Sequence, residues 1–109
     1  MENKEELIGQ VLNLAELVGY QDGAVVSRTI IKQDKGNVTL FSFDKGQGLS
    51  EHTAPFDALV YAIDGEVEVI IDGEANHLKK GDMIIMPANK PHSLKALEKF
   101  KMLLVMIRS

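Results

Sequence analysis

The chain predicts an all-β fold, an antiparallel sandwich or barrel. Three observations carry that expectation. From Gly19 onward the apolar residues recur mostly at every second position, the period of a strand with one buried face. The apolar segments are short and return at roughly 8–12-residue intervals, almost without helix. Turn signals stand between them, above all Asp64-Gly65 and Asp72-Gly73, the dipeptide that suits a two-residue hairpin loop.

Residues 3–18 form the one helix-like stretch. Leu7, Val11, Leu14 and Val18 fall at helical spacing, and Glu5 and Glu6 suit a first turn. Gly9 and Asn13 interrupt it, so a short helix and a turn leading to an edge strand both stay open. Residues 24–32 (AVVSRTIIK) are rich in β-branched side chains and read as a strand. Asp34-Lys35-Gly36 turns the chain. Residues 37–44 alternate, with Thr39, Phe41 and Phe43 on one face and Val38 and Leu40 on the other. Residues 45–48 are a glycine-containing loop. Residues 58–63 are a strand, which Asp64-Gly65 turns into a second at 66–71. After Asp72-Gly73 comes a short polar strand at 74–78, then a turn at 79–82. Residues 83–86 read as a buried strand, 87–91 as a proline-bounded loop, and 92–96 and 100–107 close the series.

With 109 residues the chain is expected to be one domain, an N-terminal segment over 1–20 and a barrel over 24–108. Its net charge is −4 with both signs interspersed, which argues against a nucleic-acid partner. It has no cysteine, so disulfides and thiolate chemistry are excluded. The opening MENKEELIGQ lacks a basic flank and an apolar core, unlike a signal peptide. No apolar run approaches the roughly 20 residues that span a bilayer. The expectation is a cytoplasmic protein without a membrane partner. Nucleophile–base pairs, phosphate loops and zinc-finger spacings are absent from the sequence.

Two stretches carry the candidate chemistry. One, around residues 48–65, holds His52 ahead of an apolar run that ends at Gly65. The other, GDMIIMPANKPHSLKA over residues 81–96, holds His92 after the proline-bounded loop. Together they resemble the paired motifs of the cupin superfamily, small jelly-roll barrels. The first family motif runs glycine, five residues, His-x-His, three or four residues, Glu, six residues, Gly. His52 takes its first histidine position and Gly65 its last glycine, while Ala54 stands at the second histidine and Ala58 at the glutamate. The second motif is matched by Gly81, Pro87 and His92, with Asn89 at its middle glycine and Ala96 at its final asparagine. The resemblance is to the single-domain conserved-barrel group, and it implies a cupin-type jelly roll.

In that family these positions hold one divalent metal. Here the resemblance carries over only His52 and His92, which implies at most a weakly held divalent transition metal (Zn, Ni, Fe or Mn). The resemblance implies that Ala54 and Ala58 clear volume where the ligand cage usually sits, and strand parity places Val60, Ala62, Leu94 and Ala96 on the same interior side as Ala58 and His92, as further pocket lining. Phe41, Phe43, Met83, Ile85, Met102, Leu104 and Met106 are candidates for its floor, and Met86 for its wall. Glu51 and Asp57 are the nearest carboxylates, available as a third ligand or a base if a turn after Ala54-Pro55 breaks the alternation. His77 and Tyr61 fall on outward faces.

Several strands are apolar on both faces, which implies a homodimer through an outer sheet face. Three functions are compatible with these residues. The first is a barrel that binds an unidentified small molecule in its mouth, with an optional metal. The second is a metal-dependent enzyme of dioxygenase or isomerase type. The third is a non-catalytic sensor or regulatory module.

Overall fold

The computed structural model describes residues 7–108. Nine strands among them form two antiparallel sheets: β1 (Val25–Gln33), β2 (Gly36–Phe43), β3 (Gly48–His52), β4 (Ala58–Asp64), β5 (Glu66–Ile71), β6 (Glu74–Lys79), β7 (Met83–Met86), β8 (His92–Ala96) and β9 (Phe100–Ile107). One sheet has the order β1-β2-β9-β4-β7, the other β3-β8-β5-β6. The alternation of the sequence becomes a filled interior. Ala58, Val60 and Ala62 of β4, Val67 and Val69 of β5, Leu94 and Ala96 of β8, and Phe100, Met102 and Leu104 of β9 form one buried cluster. Each large side chain taken out of water there contributes about 1.5–3 kcal/mol.

The Asp-Gly signals act as their chemistry requires. Asp72 and Gly73 both have positive φ, 50° and 82°, the twist that joins β5 to β6 without splaying them. The prediction missed one strand, β3. Its sequence GLSEH is mostly exposed and packs only Leu49 against the core, so it has no apolar alternation to read.

No α-helix forms over residues 7–18. The described part of that stretch contains a 3-10 turn at Leu14–Glu16, capped by Asn13, whose Oδ1 accepts from the Ala15 amide at 3.1 Å. Gly9 has φ 75°, outside the right-handed helical region. Residues 3–6 of the expected helix lie outside the described residues. The segment is held to the outer face of the larger sheet through its backbone carbonyls. Ser42 Oγ donates to Gly19 O at 2.6 Å, Arg28 Nη1 to Leu17 O at 3.2 Å and Lys101 Nζ to Ala15 O at 2.6 Å. Tyr20 adds a side-chain bond, its hydroxyl donating to Asp64 Oδ2 at 2.6 Å. Burial and this carboxylate both push the Tyr20 pKa well up.

Beneath this segment Leu40 and Ser42 are fully buried although they point away from the barrel interior. The rest of that outer face is open. Register places Tyr61 beside Leu103 and Met83, and Leu59 beside Val105 and Ile85. Tyr61, Met83, Ile85 and Ile107 are exposed. This corrects the reading of 83–86 as a buried strand with Met83 and Ile85 on the pocket floor: Met83 and Ile85 point outward, and Ile84 and Met86 point in. A four-residue run, MIIM, has no polar side, so parity could not be read from it. The smaller sheet has a polar exterior instead. Glu68 lies across from His77 and Lys95, and His77 Nε2 meets Glu66 Oε1 at 2.7 Å.

Candidate functional site

His52 and His92 are directly opposed across the β3–β8 ladder. The register there contains a bulge between Leu49 and His52. Leu49 and His52 are three residues apart, so strict alternation would send them to opposite faces. One extra residue restores parity, and both side chains line the same cavity. The two imidazoles, 40 residues apart in sequence, meet with Nε2 to Nε2 at 3.1 Å and ring centroids 4.4 Å apart.

Their other nitrogens are committed. His52 Nδ1 lies 2.8 Å from Ser50 O, and His92 Nδ1 lies 3.2 Å from Lys90 O. A carbonyl oxygen only accepts, so the short contact favours a proton on His52 Nδ1 and leaves His52 Nε2 an acceptor, while the longer His92 contact leaves two places for the proton of that ring. With its proton on Nε2, His92 donates to His52 Nε2; with its proton on Nδ1, both Nε2 atoms present lone pairs to each other or to a bound cation. His92 is 3 % exposed. Burial foremost, and then repulsion by His52, push its pKa below the ordinary histidine value, while the Lys90 carbonyl works in the opposite direction.

The cavity beside the pair has a volume of about 40 Å³ and an almost wholly apolar wall. Ala54, Ala58 and Leu94 line it, together with Met86, Met102, Leu104 and Met106. Leu49 and Phe56 also line it and were not foreseen. Leu49 belongs to the strand that sequence missed, and Phe56 sits in a turn with no parity. Val60, Ala62 and Ala96 do point inward but lie in the packed core, outside the cavity wall. Phe43 is likewise core, with its ring centroid 5.9 Å from Phe41 and 5.6 Å from Phe100. Neither Phe41 nor Phe43 is part of the cavity wall. Met83 and Ile85 are on the far side of the sheet.

Neither carboxylate joins the pair. Asp57 Oδ1 accepts from the Ala88 amide at 2.8 Å, and Asp57 lines an outer groove with Arg108. Glu51 is exposed and is not part of the cavity wall. The loop that carries His92 is pinned by Asn89, whose amide donates to Ala54 O at 2.7 Å. Asn89 has φ 64°. It replaces the motif's glycine at a left-handed position, which asparagine tolerates better than most residues.

Residues 39–108 match the cupin domain family. The chain belongs to the cupin family. Among solved structures, this cupin resembles a conserved protein of unknown function from Streptococcus pyogenes at 39 % identity and TM-score 0.89, over 93 % of this chain and 89 % of that one. A cupin 2 conserved-barrel protein from Leptotrichia buccalis is 43 % identical with TM-score 0.86; the match covers 89 % of this chain and 47 % of that one. The salicylate 1,2-dioxygenase of Pseudoaminobacter salicylatoxidans shares the fold at 18 % identity and TM-score 0.71, over 76 % of this chain and 25 % of that one. At that distance the likeness concerns the fold alone. No curated protein matches the chain.

Cupins commonly bind a divalent metal at the four positions of the paired motifs. The residues of this cupin do not fit such an ion. Two of the four donors are methyl groups, Ala54 and Ala58, and no cluster of three or more His, Cys, Asp or Glu exists among the described residues. Stable catalytic centres for such metals keep at least three protein ligands.

Proposed function

We propose that this cupin is a binding protein that takes its ligand in the barrel mouth at His52 and His92. The convergence of two Nε2 atoms at the wall of a cavity without a carboxylate is the observation that carries this reading. Backbone carbonyls orient both rings through Nδ1, which leaves the Nε2 atoms to accept from, or coordinate to, whatever enters. A volume of about 40 Å³ is far below the roughly 300–1,000 Å³ of ordinary metabolite pockets. The ligand is therefore ion-sized, or a larger molecule that inserts one end and pushes Leu49 or Phe56 aside. A divalent ion on two imidazoles alone would be held weakly and released as the rings protonate.

The competing reading is a metal-dependent enzyme that borrows an additional ligand. Elemental analysis of untagged protein purified without chelator separates the two. Binding without stoichiometric divalent metal, with ligand-induced melting shifts that vanish in the His52→Ala, His92→Ala double variant, supports the binding protein. Near one Zn, Ni, Fe or Mn per chain, lost in the same variant, overturns it in favour of the enzyme.

A homodimer is part of the proposal. The groove on the outer face of the larger sheet, about 430 Å³, is lined by Leu59, Ile85, Val105 and Ile107 with Asp57 and Arg108. It therefore carries both charge signs around an apolar floor. A second copy related by a two-fold axis that passes between Asp57 and Arg108 would place unlike charges together in a self-complementary contact. Light scattering at micromolar concentration should give a dimer mass, and Ile85→Glu should give a folded monomer. A monomeric parent protein rejects the dimer.

A further inference from the structure

We infer that the cavity beside His52 and His92 is built for a soft monovalent cation of the copper(I) class, coordinated by the two Nε2 atoms and by methionine thioether sulfur. The inference rests on the reading of the barrel mouth as a binding site and names its ligand.

The first argument is the donor geometry. Both Nδ1 atoms face carbonyl oxygens, and with a proton on each of them two lone pairs meet at 3.1 Å. A cation between them relieves that contact, as does a ring proton placed on one Nε2. A proton shared between the rings is one solution. A metal ion is the other, since nitrogens at this separation can share one ion at roughly 2.0–2.1 Å from each.

The second argument is the wall. Met86, Met102 and Met106 all line this one cavity, three of the five methionines in the chain. They come from β7 and β9, so no single strand's periodicity accounts for the grouping. Thioether and imidazole together form a soft donor set, which selects copper(I) over magnesium, calcium or manganese.

The third argument is charge. The cavity wall contains no carboxylate, and Asp57 is turned to the outer groove. The cost of taking an ion out of water rises with the square of its charge, and here no anion offsets it. A monovalent ion is thus far easier to hold in this wall than zinc, nickel or iron in the divalent state. The exchange of Ala for His and Glu at positions 54 and 58 removes both the hard donor and the negative charge. It exchanges one metal class for another.

Methionine is also a common filler of irregular cores, and the experiment separates the two roles. Metal-free full-length protein is titrated anaerobically with copper(I) against a chromophoric copper(I) chelator, and with silver(I) as a redox-inert probe followed by methionine methyl NMR. The expected result is one ion per chain, with the methyl signals of cavity methionines shifted and that of Met83 unmoved. Zinc(II) should bind at least about a hundredfold more weakly than copper(I). Replacement of Met86, Met102 and Met106 by leucine conserves volume and should keep the fold, while copper(I) affinity falls at least about tenfold. His52→Ala should abolish stoichiometric binding.

Equal or tighter binding of zinc(II), unmoved cavity methyl signals, or full affinity in the leucine variant would overturn the inference. If copper(I) and silver(I) fail to bind while an organic ligand still gives a His52-dependent melting shift, the copper assignment falls and the binding site stands. If neither kind of ligand responds to His52, both fall.

Discussion

The amide of Asn89 donates to the carbonyl of Ala54 at 2.7 Å, joining two positions at which this chain departs from the cupin motifs. Ala54 lines the cavity beside His52, and Asn89 holds the loop that delivers His92. The two substitutions thus meet in one hydrogen bond at the rim of the site. Because Asn89 sits at φ 64°, the conformation rather than the side chain should decide which residues it accepts. Asn89→Gly should change stability by less than about 0.5 kcal/mol, while Asn89→Ala should lose roughly 1 kcal/mol and Asn89→Val more. Urea midpoints of the three variants measure this. Equal midpoints for Gly and Val would show that the turn relaxes and does not constrain His92.

Gly65 closes the first motif under a different constraint. It has φ 77°, and a Cβ placed on it would collide with the Lys99 carbonyl oxygen and lie 2.9 Å from Phe100 Cα. Both obstacles are backbone, so neither can swing away. Gly65→Ala should cost on the order of 3 kcal/mol, combining left-handed strain with overpacking. Gly73 is the internal comparison. Its φ is 82°, but a Cβ there meets nothing within 4 Å. Gly73→Ala should cost only about 1 kcal/mol. Thermal melts of both variants test the ranking, and a smaller loss at Gly65 than at Gly73 would contradict the packing described here.

The pH dependence of the metal-free protein follows from His92. Burial, aided by His52, holds its folded pKa below the ordinary histidine value of 6.5. Below that value the unfolded chain takes up a proton that the folded chain resists. Stability is thus complete above about pH 6.5 and is lost as pH falls from there toward the lowered folded value. The slope from this one group is at most about 1.4 kcal/mol per pH unit. His52 is the titratable ring that faces it. Urea midpoints taken with a chelator at about pH 7.5, 6.5 and 5.5 should fall over the last interval, and the fall should shrink in His92→Asn. Rising stability over that interval would mean that the folded state prefers the charged ring.

The strands were legible because their signals are local: alternation within a segment and Asp-Gly between segments. The smaller sheet's polar exterior made β5 and β8 easy to orient, since Glu66, Glu68 and Lys95 mark the outside. β7 could not be oriented, because Met83, Ile84, Ile85 and Met86 are all apolar and only pairing with β4 decides which two turn inward. β3 was invisible for the opposite reason, having one core residue. The pairing of His52 with His92 was legible only through the motif, and the bulge that aims His52 has no sequence signature. Nor do the backbone carbonyls of Ala15, Leu17 and Gly19, which moor the N-terminal segment to Lys101, Arg28 and Ser42. Any residue offers a carbonyl. The grouping of three methionines at the histidines needed the register of β4, β7 and β9 together.

That register also makes the missing metal ligands restorable. Ala58 is paired with Met86 and Met106, faces inward, and lines the cavity with Ala54 and both histidines. Ala54→His with Ala58→Glu would give this cupin the donor set of the family motif, three imidazoles and a carboxylate. The added charge offsets a divalent ion, and the added donors raise the protein ligands from two to four. Zinc(II) or nickel(II) affinity should rise by more than about a hundredfold, approach one ion per chain and fall away as the imidazoles protonate. An Ala54→Leu, Ala58→Gln variant adds comparable bulk without the donors and should bind no better than the parent. Isothermal titration and elemental analysis read the outcome, with circular dichroism to confirm the fold. A folded double variant that gains no affinity would mean that His52 and His92 do not point where the shared ion has to sit. The common basis of the binding site and its soft-cation assignment would then be lost.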